Sequence, residues 1–166
     1  MLTALVNRIR CNHTLEHATI NLITQHYPSA QVLGISGPLG FTLYTTLPAE
    51  EVTPAAIQAL KRLKGGESAL RLHANCGTNM VVTATLTTAA ALLGVGNQST
   101  LRGRLEHLPQ AILLSVFALL AARPVGEWVQ AHITTATDLA QVEIASIFTD
   151  YQGGLRRIRV YTRQSA

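Results

Sequence analysis

The most prominent hydrophobic pattern in the chain is a pair of stretches without any charged residue. One covers residues 79–98 and the other residues 108–122. A helix on the surface of a soluble domain normally keeps a polar stripe along one side. Each strictly apolar core is shorter than the roughly 20 residues that a spanning helix needs. Residues 78–98 reach that length with their uncharged polar members, and the second stretch can extend to Val129. We therefore predict a transmembrane helical hairpin, and the alternative is a buried hairpin in a soluble protein.

The N-terminal segment has the period of an amphipathic helix. Over residues 2–26, side chains recur on one face at spacings of three and four, and Pro28 ends the pattern. That face carries Val6, Ile9, His13, His17, Ile20 and Thr24. Since apolar residues flank the two histidines along it, we expect the whole stripe to face the interior.

Strand patterns lie on both sides of the apolar stretches. Residues 32–35 are predicted as a short strand, and residues 41–47 alternate apolar and polar side chains. With the Gly-Pro-Leu-Gly turn between them, they predict a hairpin. A second pair is predicted at 142–148 and 155–162, separated by Gly153-Gly154. Ile158 and Val160 would then face one side of the sheet and the neighbouring arginines the other.

Two shorter elements are predicted between the first hairpin and the apolar region. Thr53-Pro54 has the form of a helix start, with Thr53 as N-cap and Pro54 at the first helical position, and the helix would run to Lys64. Residues 69–73 would form another short strand.

These elements predict an α+β fold with a small mixed sheet and an N-terminal helix that carries His-x-x-Glu-His. The chain is interpreted as a single domain, 1–166, in which the apolar hairpin 79–122 is inserted between α/β segments 1–78 and 123–166. The flanking β segments are expected to form one sheet.

The amino-acid composition limits the classes of binding partner that we expect for this protein. Only 13% of residues are charged and the formal net charge is +4, which favours nucleic acid or anionic lipid. The basic residues are scattered and no nucleic-acid-recognition motif accompanies them. We expect membrane lipid as the partner and no nucleic acid, and the sequence predicts no particular protein partner. No secretory signal pattern opens the chain, so we expect a cell-membrane protein with its polar parts in the cytoplasm.

His13, Glu16 and His17 form the first candidate chemical site. Histidines four residues apart on a helix point the same way, about one turn apart, which suits a single metal ion. Glu16 precedes His17 and is expected on the same side. Two inward-facing imidazoles need polar partners, and a metal ion would satisfy both.

The spacing His-x-x-Glu-His resembles the inverted zincin motif of the pitrilysin-like metallopeptidases. That resemblance implies that His13 and His17 are zinc ligands and that Glu16 is the general base acting on a metal-bound water. It covers five residues. These peptidases also use a downstream glutamate as third ligand, and the chain offers no clear counterpart.

A second cluster, His73 and Cys76, lies in a polar turn just before the first apolar helix. One of these residues added to His13 and His17 would give three ligands and an open position, as in catalytic zinc sites. All four would give a closed, structural site. Zn²⁺ is the expected ion, and Fe²⁺ remains open.

Over most of its length the chain is similar to a bacterial family of small membrane-associated proteins of unknown function. The residues that carry the resemblance are 13–20, 73–79, Arg123-Pro124 and 126–128. It implies no particular activity, but it includes both ligand clusters.

Two functions are compatible with these observations. One is a membrane-anchored module that holds a metal through its His/Cys cluster. The other is a small membrane-embedded zinc-dependent hydrolase with Glu16 as general base.

Overall fold

The computed structural model describes residues 2–164, and they form two compact units. The first unit contains residues 2–73 and 131–164, and the second contains residues 74–130. The predicted hairpin, 79–122, lies within the second unit.

The first unit contains two helices and four strands. In chain order they are α1 (Leu2–His26), β1 (Val32–Gly37), β2 (Gly40–Thr45), α2 (Ala49–Lys64), β3 (Val142–Gln152) and β4 (Leu155–Gln164). The strands form one sheet in the order β1-β2-β4-β3, and every pair is antiparallel. The α+β class and the joining of the two strand pairs into one sheet are confirmed, whereas the mixed sheet is wrong.

The core of this unit lies between the helices and one face of the sheet. Its fully buried side chains include Leu15 and Leu22 from α1 and Leu43 and Ile158 from the two central strands. Leu43 and Ile158 are directly paired across β2 and β4. The alternation in those strands therefore places apolar side chains inward, as the sequence predicted.

Helix α1 departs from the predicted inward stripe in its first turns. Val6 and Ile9 are exposed, and continuous burial begins only at Cys11. From there to Ile20 nearly every side chain is buried, because other elements surround the helix on several sides. The simple amphipathic interpretation thus holds neither for the N-terminal turns nor for the middle of α1.

Two short elements differ from their predictions. A 3₁₀ helix, Ser68–Arg71, replaces the strand expected at 69–73. Helix α2 begins at Ala49, with Pro48 as N-cap, so Thr53 is not the cap and Pro54 lies inside the helix. Two glutamates in the first turn suit the positive end of the helix dipole.

The second unit is an antiparallel helical hairpin. It contains α3 (Gly77–Val95), the short helix α4 (Leu101–Glu106) and α5 (Leu108–Val129), which continues into a π-helical turn at Gln130–Thr134. A Cβ at Gly94 would overlap the Ala111 backbone, so α3 and α5 approach closely near the loop end. At the other end Gln130 donates to the Asn79 side-chain oxygen at 2.6 Å.

Both long helices are long and apolar enough to cross a membrane, judged by length and composition. The two candidate spans are Gly77–Val95 and Leu108–Thr134. Their outward side chains, among them Leu93, Phe117 and Leu120, are exposed.

Candidate metal centre

Two histidines on α1 form the centre of the site. His13 and His17 lie one helical turn apart, and their ring centroids are 4.2 Å from each other. His17 is only 1% exposed and His13 is partly buried. The predicted pairing of the two rings is present.

Hydrogen bonds at Nδ1 fix the orientation and the tautomer of these two rings. His13 Nδ1 lies 3.1 Å from the carbonyl oxygen of Thr134, and His17 Nδ1 lies 2.7 Å from that of Arg71. A carbonyl oxygen can only accept, so each Nδ1 is the donor. In a neutral imidazole the lone pair is then on Nε2, the nitrogen that would coordinate a metal ion.

The Nε2 atom of His17 is buried and has no hydrogen-bond partner in the part of the chain that the structure describes. Burial of a polar atom without a partner is costly, and such atoms in folded proteins usually mark an unseen ion, a water or a strained site. A metal ion on this nitrogen would remove the cost.

His73 lies in the same unit, shortly after the 3₁₀ helix. Its ring centroid is 5.8 Å from that of His17. Its Nδ1 lies 2.8 Å from the side-chain oxygen of Asn21, which is an acceptor. His73 therefore has the same tautomer as His13 and His17, and its lone pair is also on Nε2.

Cys76, the other residue of the second predicted cluster, lies in the second unit, and its role as a metal ligand remains a prediction. Cys76 is buried and is the N-cap of α3, where its sulfur accepts from the Thr78 amide at 3.4 Å. A thiolate there is supported by an N–H donor and by the positive end of a helix.

Glu16 is buried, and its carboxylate accepts a hydrogen bond from the Ser36 hydroxyl of β1. The neighbouring Gly34 leaves the space that the carboxylate occupies, since a Cβ at that position would overlap it. Glu16 thus packs against the edge strand. Its role as general base remains a prediction.

Sequence reasoning missed the residues that hold the site together. Arg10 donates to the carbonyl oxygens of His132 and Thr135, and Thr14 both donates to Ala136 O and accepts from Ala136 N. Together they bind the segment after the π turn to α1. Asn21 donates to the carbonyl oxygens of Leu70 and Leu72 and so binds the turn that carries His73 to α1. No periodicity signals such contacts, because each joins positions far apart in the chain.

Cys11, the other cysteine, is separate from the ligand group. Its sulfur donates to the carbonyl oxygen of Asp138 at 3.6 Å, and it is buried. Burial, aided by the nearby Asp138 carboxylate, raises the pKa of the Cys11 thiol. It therefore stays protonated at neutral pH, as suits a structural cysteine.

Comparison with known proteins supports the bacterial relationship. The chain is similar to an uncharacterised protein of the cyanobacterium Picosynechococcus sp. (strain ATCC 27264 / PCC 7002 / PR-6), 34% identical over 140 residues, which cover 79% of this chain and 67% of the relative. No solved structure matches the chain. A family model matches residues 8–147, a span that includes all four candidate ligands, and the chain belongs to that family, described as a domain of unknown function (DUF6391).

Proposed function

We propose that this chain is a membrane-anchored metal-binding protein whose ion is held by His13 and His17. The observation that carries the proposal is the buried Nε2 of His17, which has no hydrogen-bond partner among the described residues, while Nδ1 of the same ring is bound to a carbonyl oxygen. Nδ1 of this ring already has its partner, so a metal ion on Nε2 would complete the interactions of the ring.

The donor set favours a particular class of ion. Imidazole ligands suit borderline-soft divalent ions of the first transition row, with Zn²⁺ first and Fe²⁺ next. Magnesium and calcium prefer oxygen ligands, which this group does not provide. Both imidazoles also have the carbonyl partners on Nδ1 that orient ligating histidines in metalloproteins.

The membrane part of the proposal rests on the second unit. Its two long helices are uncharged in their central parts and expose apolar side chains on their outer faces. Small residues such as Gly94 and Ala111 lie where the helices meet, and Ser115 donates to the Thr87 carbonyl oxygen at 3.4 Å. Small interface residues and short polar contacts are typical of helices packed in lipid. In this proposal the first unit faces the cytoplasm, where its free cysteine, Cys11, stays reduced.

Metal analysis of the detergent-purified full chain tests the binding site. The protein is isolated on a tag without histidines, and zinc and iron are measured by mass spectrometry. About one ion per chain is expected, with near-complete loss in His13→Ala and His17→Ala. His26→Ala is the matched control, because this α1 histidine bonds the Leu22 carbonyl oxygen of its own helix, and it should keep the ion. Metal-free, folded wild-type protein from metal-replete cells would overturn the proposal.

Membrane anchoring is tested separately by an alkaline carbonate wash of membranes from expressing cells. The chain should remain in the pellet and require detergent for extraction. Recovery in the carbonate supernatant would show that α3 and α5 form a buried hairpin instead. Protease treatment of inside-out vesicles, which should digest the first unit, tests its cytoplasmic location.

The hydrolase alternative has less support. It requires the Glu16 carboxylate to act on a metal-bound water, whereas in the structure this carboxylate accepts from Ser36 and packs against Gly34. We therefore propose metal binding without assigning a reaction.

A further inference from the structure

We propose that β1 is an interaction surface for a second copy of this chain, and that the two β1 strands pair antiparallel to form one continuous sheet. The proposal concerns the first unit alone. It goes beyond the proposed function, because it needs neither a metal ion nor a membrane.

The hydrogen bonds of the sheet show which backbone groups of β1 lie at its open edge. Thr162 N donates to Leu39 O at 2.9 Å, so Leu39 directs its carbonyl group toward β4. Because backbone groups point to alternate sides along a strand, the residues of β2 that face β1 are its even-numbered ones. Their partners in β1 are Gly37, Ile35 and Leu33. The N–H and C=O groups at the open edge therefore belong to Val32, Gly34 and Ser36, and within residues 2–164 no strand lies beside them.

The outer face of β1 is apolar. Gly34 and Ser36 face α1, since both positions meet the side chain of Glu16. Side chains alternate between the two faces of a strand, so Leu33 and Ile35 point away from the helices, and they are 62% and 57% exposed. The strand thus combines backbone groups that lack a neighbouring strand with two exposed apolar side chains.

The two edges of the sheet differ in their protection against pairing. Edge strands of natural proteins are usually protected by charges, bulges or prolines. The other end strand, β3, carries Glu143 and Asp150, and its register is interrupted between Ile144 and Ser146. Strand β1 has no charged residue and no proline, and its register with β2 is continuous. This difference indicates that β1 is the edge on which a further strand docks.

A second β1 strand fits this edge. When two copies are placed antiparallel about Gly34, each residue of the open edge lies opposite another, and Val32 pairs with Ser36 of the second copy. About six backbone hydrogen bonds would form. Leu33 would lie beside Ile35 of the second copy, so the exposed apolar side chains would cover each other. A self-complementary contact of this kind is typical of two-fold dimers.

The charge distribution also favours a second copy. The chain has a formal net charge of +4, and identical basic surfaces repel each other. Strand β1 has no ionisable side chain, so its pairing places no charges of the strand opposite each other. The nearest carboxylate, that of Glu16, is buried and bonded to Ser36 within its own copy.

Disulfide cross-linking of the full chain tests both the contact and its register. The double variant Leu33→Cys/Ile35→Cys is oxidised with copper phenanthroline in the cell fraction that contains the protein. The two positions would face each other across the contact, at a separation that a disulfide bridges. A band of twice the chain mass is expected on a non-reducing gel, and reductant should remove it.

Single variants check the register. Leu33→Cys and Ile35→Cys should each give much less dimer, because each position lies diagonally from its own copy, about 7–8 Å away, at the limit of disulfide geometry. Ile57→Cys is the control for random collision, since Ile57 on α2 is 56% exposed and lies in the same unit.

A second experiment disrupts the contact. Two copies with different tags are coexpressed, and the wild-type copies should purify together in mild detergent. Ile35→Lys in both copies should abolish this, because an ammonium group would lie against Leu33 of the second copy and lysine on an edge strand opposes pairing. Ile57→Lys, the same change at an equally exposed position, should leave it unchanged.

Several results would overturn the inference. They are the absence of a dimer band from the double cysteine variant, an equally strong band from Ile57→Cys, and copurification that Ile35→Lys leaves unaltered. A cross-linked band of another mass would show that a different protein lies on β1 and would overturn it as well. None of these results bears on the proposed function, which is tested by metal content and carbonate extraction.

Discussion

The carboxylate of Glu16 lies in the space that the missing side chain of Gly34 leaves on β1. A Cβ at position 34 would overlap the carboxylate, which is buried and accepts from Ser36. The glycine is therefore required by packing, because β1 lies against α1 at this point. A substitution as small as alanine must displace either the glutamate or the strand.

We expect Gly34→Ala to destabilise the first unit by about 1–3 kcal/mol, the usual cost of overpacking. Thermal unfolding followed by circular dichroism in detergent would measure it. The double variant Gly34→Ala/Glu16→Ala should lose less stability than the sum of the losses of the two single variants, because alanine at position 16 makes room for the added Cβ. Equal unfolding temperatures for Gly34→Ala and wild type would show that β1 and α1 are less tightly packed here.

Glu16→Gln separates the chemical role of Glu16 from its packing role. The substitution keeps the shape and an acceptor for the Ser36 hydroxyl but removes the charge. We expect metal content and fold to be retained, and any hydrolytic activity found in the wild type to be lost if Glu16 is a general base. If metal content instead falls as far as in His13→Ala, Glu16 is a ligand or a structural partner, and the general-base prediction is wrong.

The sequence predicted those parts of the fold that depend on regular alternation. The β1–β2 hairpin, the apolar helices and the pairing of His13 with His17 all follow from spacings within one element. The 3₁₀ helix at Ser68–Arg71 does not follow from such spacings, because its chain path depends on contacts with Asn21. A four-residue segment has too few internal contacts to choose strand or helix alone.

The sequence did not predict the residue at which α2 begins or the residue that Glu16 contacts, for related reasons. Pro54 is the sixth residue of α2, beyond the first turn in which proline is favoured, so its position did not mark the start of the helix. Glu16 was expected beside the histidines from its helix position, but only the tertiary structure shows that β1 offers it Ser36. Local patterns thus predicted the candidate ligands but not the residues that orient them.

The two cysteines should differ in their response to metal removal. In native protein at neutral pH, Cys11 should resist iodoacetamide with or without a chelator, because burial raises its pKa and keeps it as the thiol. If Cys76 is a ligand, as the sequence predicts, the ion should protect it, and it should react faster after chelation. Mass spectrometry of peptides from each state would give both rates. Chelator-independent labelling of Cys76 would argue against its role as ligand.

The stability of the sheet should depend on pH through the carboxylate of Asp150. Arg157 binds its carboxylate through two nitrogens at 2.7 and 2.6 Å, and Arg159 adds a third contact at 2.6 Å. The Arg157 hydrogen bonds, with the charges of both arginines, lower the pKa of Asp150. A lowered pKa means that the stabilisation is complete above the unfolded value of about 4 and is lost as pH falls through the folded value.

We therefore expect Asp150→Asn to lower the unfolding temperature modestly at pH 7. The difference from wild type should shrink as the pH falls below about 4, because protonation then removes the same charge from the wild type. Thermal melts of both proteins across this range test the prediction. A difference that is unchanged at low pH would show that the loss comes from packing and not from charge.

The close contact between α3 and α5 provides the last prediction. Gly94 lies so near the Ala111 backbone that a Cβ would overlap it, whereas the Gly77 position, at the start of α3, has nothing within 4 Å of an added Cβ. Gly94→Ala should therefore separate the helices and destabilise the hairpin by about 1–3 kcal/mol, and Gly77→Ala is the matched control. The single tryptophan, Trp128, lies in α5 and reports on the hairpin during titration of micelles with dodecyl sulfate. The Gly94→Ala transition should shift to less denaturant while that of Gly77→Ala stays near wild type. Equal shifts in the two variants would mean that helix propensity, and not the close approach at Gly94, controls the stability of the hairpin.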